Sequence, residues 1–183
     1  MNLPNLITIG RIVLVPVTVW LILTRAYDLA FLAFLVAGAS DAVDGFLARR
    51  LKMRSSLGAH LDPIADKLLL VSVYVALAIL QELPAWLVIL VVGRDVLIVG
   101  AVLLSWVIAK PLVIKPLFVS KANTAMQIIF IVGMLGGLAF GLNSATMRHT
   151  GEILVAILTV LSGGAYLMEW LGHMGNERET GRG

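Results

Sequence analysis

Asp41 and Asp44 stand three residues apart, and Asp62 and Asp66 stand four apart, all within or beside apolar stretches. Either spacing puts both members of a pair on one face of an α-helix. Two helices that each offer a carboxylate pair bring together four groups that repel unless some are protonated or a cation neutralises them. Carboxylate oxygens are hard ligands, so the pattern predicts Mg²⁺, Mn²⁺ or Ca²⁺ and argues against zinc or copper. Small residues accompany the acids: Gly45 follows Asp44, Ala48 lies one turn further on, and Gly58 lies one turn before Asp62. Backbone is thereby open to a bulky group beside the metal, and Arg49 supplies a planar fork for phosphate. The same small residues also suit close packing of membrane helices; the four aspartates beside them favour the ligand reading.

The elements that must carry these residues are apolar. Of 183 residues, 60% are hydrophobic and 14% charged, against about 25% charged in soluble domains. Six segments approach the roughly 20 residues needed to cross a bilayer as a helix: 3–24, 29–48, 62–80, 85–108, 121–142 and 150–171. The expected fold is an all-α membrane protein of six transmembrane helices, with one domain over 1–172 and a short polar tail over 173–183. Met1 to Leu6 has no basic n-region and no small-residue cleavage site follows it, so it reads as the start of a retained first helix. There is no cysteine, which excludes a thiol nucleophile or a disulfide.

The basic residues sort by loop. Arg49, Arg50, Lys52, Arg54, Lys110, Lys115, Arg178 and Arg182 share one side of a six-pass chain, while Arg25 and Arg148 lie on the other. The positive-inside rule then puts both termini and the 49–61 loop in the cytoplasm. The basic surface faces anionic headgroups rather than nucleic acid. Arg11, Asp41, Asp44, Lys67, Arg94 and Asp95 fall within or at the ends of apolar helices, where an ionised group is costly unless paired or hydrated, so they mark a functional cavity. At about 1.5 Å of rise per residue, Asp41, Asp44 and Asp66 lie roughly 18 to 22 Å from the outer ends of their helices, and Asp62 somewhat deeper. The expected active site is a cavity at the cytoplasmic side.

Asp41-Ala-Val-Asp44-Gly45-Phe-Leu-Ala48-Arg49, followed at fixed spacing by Gly58, Asp62 and Asp66, resembles the complete signature of the CDP-alcohol phosphatidyltransferase family. The resemblance extends over the six-helix pattern. It implies two divalent cations, Mg²⁺ or Mn²⁺, held by Asp41, Asp44 and Asp62, with Asp66 as a further ligand and the general base. It places the CMP half of the donor against Gly45, Ala48, Arg49 and Gly58. Asn5-Leu-Ile-Thr8-Ile-Gly-Arg11 is similar to an N-terminal family element that lines the same cavity; read alone, Asn5 and Thr8 suit helix capping and Arg11 suits snorkelling to the interface.

Within the family, bacterial phosphatidylglycerophosphate synthases carry two cations where this chain has Val102 and Asn123. A phosphomonoester dianion such as glycerol 3-phosphate calls for them, whereas a phosphodiester with one negative charge needs fewer. Arg94-Asp95-Val and Ser120-Lys121-Ala-Asn123-Thr124-Ala-Met-Gln127 resemble instead the branch that makes cardiolipin. That resemblance implies CDP-diacylglycerol as donor, phosphatidylglycerol as acceptor, and cardiolipin and CMP as products. Arg94 and Lys121 would bind the acceptor phosphate, with Asp95 orienting Arg94 or pairing structurally. A purely structural Arg94 to Asp95 contact is not expected, because adjacent helix residues diverge by about 100°.

The location implied is a bacterial inner membrane, or a mitochondrial one for a trimmed chain, and a homodimer is expected. Gly133, Gly137 and Gly141 form two overlapping GxxxG spacings that suit a dimer seam or, more simply, packing inside the bundle. His60, His149 and His173 have no ligand spacing, and Trp20, Trp86, Trp106 and Trp170 suit interfacial belts. A divalent-cation transporter would also use intramembrane carboxylates. It leaves the small residues and Arg49 unexplained, and no inverted repeat with broken helices accompanies them. A non-catalytic scaffold has no use for such costly charges.

Overall fold

A computed structural model of the chain describes the backbone of residues 3–51, 56–107, 118–142 and 144–180. Side chains are described for 10–40, 67–101, 104, 118–142 and 144–171. Six helices form, with no strand among the described residues: α1 Leu3–Leu23, α2 Tyr27–Leu51, α3 Ser56–Ile79, α4 Ala85–Val107, α5 Phe118–Phe140 and α6 Ala145–Thr180. The six expected segments are thus all helical. Helix α3 begins six residues before its expected apolar start, so Gly58 and Asp62 share one helix. Helix α6 runs on through most of the expected tail, to Thr180.

The helices close into a ring. Helix α1 packs on α2 and α3, α2 on α5, α5 on α6, α6 on α4, and α4 back on α3, with a lesser α3–α5 contact across the middle. Helices α4 and α5 are consecutive in the chain, yet α6 stands between them. Ile22, Ala37, Val73, Leu77, Leu87, Val91, Ile131, Leu135 and Val155 are fully buried at the centre. Ala30 and Ala37, with no accessible surface, allow neighbouring backbones to approach α2 closely.

Three helices end in the same way at the end of the bundle opposite the aspartates. The Ala26 amide donates to the Leu21 carbonyl, the Glu82 amide to the Leu77 carbonyl and the Leu142 amide to the Gly137 carbonyl, each at 2.9 Å. The residues before these amides, Arg25, Gln81 and Gly141, have φ of 61°, 60° and 67°. This is the left-handed cap that satisfies the last carbonyls of a helix. The loops here are pinned by Glu82, whose carboxylate accepts Arg148 Nη2 at 2.8 Å and faces the Tyr27 hydroxyl at 3.5 Å.

Gly133 and Gly141 do not provide the internal packing that their spacing suggests. A Cβ on Gly133 would meet nothing, and Gly141 is the left-handed cap. The close approaches fall elsewhere: a Cβ on Gly136 would lie 3.3 Å from the Phe31 ring, and one on Gly151 would lie 2.4 Å from Phe130. Packing inside the bundle therefore belongs to Gly136 and Gly151, and it is not the role of Gly133 or Gly141.

The outward faces are apolar. Trp20, Ile79, Ile89, Val96, Phe118, Phe140 and Leu142 are all exposed. Among the described residues, Phe118–Phe140 and Ala145–Leu171 are long and apolar enough to cross a membrane. Shorter apolar stretches occupy Gly10–Leu23, Tyr27–Ser40 and Lys67–Ile79.

Candidate active site

A cavity of about 560 Å³ opens between α2, α3, α4 and α5. Phe34, Leu35, Leu69, Leu70, Ile128 and Val132 give it an apolar wall, and Gly38 and Ala39 leave the α2 side open. Its polar groups are Lys67, Asp95, Thr124 and Gln127. By helical register Asp41 follows Ala37 by one turn on α2, and Asp66 immediately precedes Lys67 on α3. The cavity thus borders the two stretches of helix that carry the aspartates.

One wall of the cavity is a chain of charge. Lys67 Nζ lies 2.8 Å from Asp95 Oδ1, and Arg94 Nη1 donates to the same oxygen at 2.7 Å. Arg94 then turns inward: Nε and Nη2 donate to Ser162 Oγ at 3.1 and 2.5 Å, and Nη2 also donates to Ser120 Oγ at 2.5 Å. The Tyr166 ring covers the guanidinium, 5.7 Å from centroid to Cζ, a cation–π placement. Arg94 is buried, and the network links α3, α4, α5 and α6.

The contact between Arg94 and Asp95 corrects the expectation from helix geometry. Adjacent Cβ atoms do diverge, but the long arginine stem folds back so that its fork reaches the neighbouring carboxylate while its other donors reach α5 and α6. Asp95 therefore both pairs with Arg94 and orients it. Two cations thus share one carboxylate, with Lys67 and Asp95 in the cavity wall and Arg94 buried behind them.

The other expected site residues divide by what the structure describes. Arg11 is 1% exposed, so it is folded into the bundle and does not snorkel. Lys121 is exposed in the first turn of α5. Asn5 and Thr8 lie on α1, Asp41, Asp44, Gly45, Ala48 and Arg49 on α2, and Gly58, Asp62 and Asp66 on α3. The side chains of these ten lie outside the described residues, as does that of Val102 on α4. Among the described residues no group of three or more His, Asp and Glu is arranged to hold a metal.

Asn123 is fully buried, and its Oδ1 accepts from Thr159 Oγ1 at 3.0 Å. This side chain ties α5 to α6. Lys67, expected to mark a functional cavity, lines this one, and so do Thr124 and Gln127, for which no role was expected. Lys67 carried one usable signal, a charge in an apolar helix next to Asp66. A second signal was the polar stripe Ser120, Asn123 and Gln127, at i, i+3 and i+7 on one face of α5.

Comparison with known proteins bears on the whole arrangement. The family model for CDP-alcohol phosphatidyltransferase matches residues 1–163. The chain belongs to the CDP-alcohol phosphatidyltransferase family. The chloroplastic CDP-diacylglycerol–glycerol-3-phosphate 3-phosphatidyltransferase 1 of rice is 40% identical over 159 residues, covering 77% of this chain and 48% of that protein. Human cardiolipin synthase (CMP-forming) is 34% identical over 155 residues, covering 76% and 52%. The CDP-diacylglycerol–glycerol-3-phosphate 3-phosphatidyltransferase of Bacillus subtilis is 32% identical over 181 residues, covering 90% and 93%. The chain thus spans about half the length of the rice and human relatives. Membership of this transferase family places the aspartate pattern among enzymes and weighs against the transporter and the scaffold.

Proposed function

We propose that the chain is an integral membrane transferase that moves a phosphatidyl group from CDP-diacylglycerol to phosphatidylglycerol, releasing CMP and forming cardiolipin. The observation that carries the acceptor assignment is the cavity itself: an apolar wall beside Lys67 and Asp95, with Arg94 behind them as the second cation on that carboxylate. A phosphodiester with one negative charge matches Lys67, Asp95 and Arg94, and position 123, buried and bonded to Thr159, adds no cation. Because Arg94 is engaged with Asp95, Ser120 and Ser162, the exposed Lys121 and the half-exposed Lys67, which shares Asp95 with Arg94, are the cations that would meet a phosphate, and Arg94 acts by holding Asp95.

All six helices are proposed to span the bilayer, with both termini and the aspartates at the cytoplasmic side. The apolar exterior supports this, since soluble monomers rarely expose contiguous apolar patches beyond a few hundred Å². The donor set fits two hard divalent cations, Mg²⁺ or Mn²⁺: Asp41, Asp44, Asp62 and Asp66 offer only carboxylate oxygen. When bound, such ions would neutralise the pyrophosphate and stabilise the CMP leaving group. Gly45, Ala48, Arg49 and Gly58 would hold the CMP half. Asp66 would accept the proton of the attacking hydroxyl as the new phosphorus–oxygen bond forms and the bond to CMP breaks.

A second reading takes glycerol 3-phosphate as acceptor, and the names of the rice and Bacillus relatives favour it. An acceptor panel separates the two. Purified protein given CDP-diacylglycerol and metal should form cardiolipin from phosphatidylglycerol. Phosphatidylglycerophosphate from glycerol 3-phosphate with no cardiolipin would establish the second reading and leave the family assignment untouched.

A further inference from the structure

Gln127 is 3% exposed, lines the cavity, and has a side-chain Nε2 with no hydrogen-bond partner. Buried amide donors are nearly always satisfied, so an orphan at a ligand cavity marks a bond that the ligand completes. The residue is held in place: the Tyr74 hydroxyl, itself fully buried, donates to the Gln127 main-chain carbonyl at 3.4 Å. That bond fixes the backbone, burial confines the side chain, and the terminal amide turns on a soft final torsion.

The surroundings define what it would bind. Ile128 and Val132 continue the same wall along α5, and Leu69 and Leu70 face it from α3. Lys67 and Asp95 stand at the polar part of the same cavity. An oxygen that meets Gln127 must therefore belong to a molecule with a phosphate near Lys67 and hydrocarbon against the leucines. An ester carbonyl at the junction of glycerol and acyl chain has that character; it accepts a hydrogen bond and offers no donor to a site that supplies one.

We infer that Gln127 donates to an acyl ester carbonyl of the lipid acceptor and makes the site selective for ester-linked lipid. This rests on the proposed phosphatidylglycerol acceptor. The donor is assigned elsewhere because its nucleotide is placed on α2 and α3, whereas Gln127 shares α5 with Lys121 and Thr124.

The test exchanges linkage for side chain. Purified wild-type protein and Gln127→Leu are assayed with metal, CDP-diacylglycerol and either ester-linked or ether-linked phosphatidylglycerol of matched chain length. A second series pairs ether-linked donor with ester-linked acceptor. Wild type should need roughly fivefold more ether acceptor than ester acceptor, the usual worth of one neutral hydrogen bond, with kcat little changed. Gln127→Leu should lose that distinction by raising the KM for the ester acceptor alone, and the donor linkage should not matter. A variant that keeps the ester preference, or a preference that follows the donor, overturns the inference. The wild-type comparison stands without any variant: cardiolipin formed equally well from both acceptors also overturns it, leaving the function intact. If wild type makes no cardiolipin from either acceptor, the acceptor reading and this inference fall together.

Discussion

Arg94 shows how a residue chosen for its charge can serve by its geometry. A guanidinium has five N–H donors in a fixed fork, and here four bonds from it go to Asp95, Ser120 and Ser162. Ser162→Ala would remove the acceptor for two of these bonds and leave a buried cation short of partners. It should lower stability by about 1–3 kcal/mol, read as a fall in the thermal midpoint in detergent. Arg94→Lys should not restore the network, since an ammonium cannot span three acceptors in a plane, and the two changes should be non-additive in a double-mutant cycle. A midpoint that does not move in Ser162→Ala would reduce the network to a coincidence of packing. Asp66 carries the complementary prediction. Replacing this proposed base by Asn should lower turnover by at least about 10²-fold while CMP still protects the protein against thermal unfolding; near-normal turnover would remove Asp66 from the role. The acids, the small residues and Arg49 stand out in the sequence because the chemistry proposed for them needs fixed spacings along each of two helices. The Arg94 partners were not, because Ser120 and Ser162 come from helices 26 and 68 residues away, and serine is too common in membrane helices to signal a partner.

At the scale of the element, the apolar segments read from composition coincide with the six helices, because leucine- and valine-rich runs of this length have few alternatives. What composition could not supply was which glycine faces what. GxxxG spacing marks a face, but a helix of 23 residues has several faces, and only the neighbours decide which one is buried. Gly151 is the decisive case. A methyl group there would fall within the Phe130 ring, 2.4 Å from Cδ2 and 2.5 Å from Cε2, and Phe130 is itself buried against Tyr74, with ring centroids 6.5 Å apart. Gly151→Ala should therefore destabilise the α5–α6 contact by about 1–3 kcal/mol through overpacking, despite alanine's better helix propensity. Phe130→Leu in the same chain should recover part of the loss, and Gly133→Ala, with open space around it, should be neutral or slightly stabilising. Equal effects at Gly151 and Gly133 would contradict the packing described.

For the whole molecule, six spanning helices as proposed would place both ends on one side, and the proposed orientation makes that side cytoplasmic. The chain has no cysteine, so single cysteines report topology without background. Cysteine at Arg25 or at Arg148 should react with an impermeant thiol reagent from outside the cell, and cysteine at Arg50 or Arg178 only after the membrane is opened. Reactivity of Arg25→Cys and Arg50→Cys from the same side would defeat the six-span arrangement. The ring order was not legible in the sequence, since nothing in two consecutive apolar helices says whether they pack on each other or admit a third between them.

That order also governs how the molecule comes to be made. Helix α4 emerges from the ribosome with α3 as its neighbour, but its other flank stays bare until α6 is complete, because α6 seals the gap between α4 and α5. The aspartate-bearing helices are in place well before then, whereas the Arg94 clasp must wait for Ser162, near the end of synthesis. A nascent chain that halts after α5 would thus have α1, α2, α3 and α5 available to pack and one flank of α4 uncovered. Completion of the last helix is the event that converts an open bundle into a closed one.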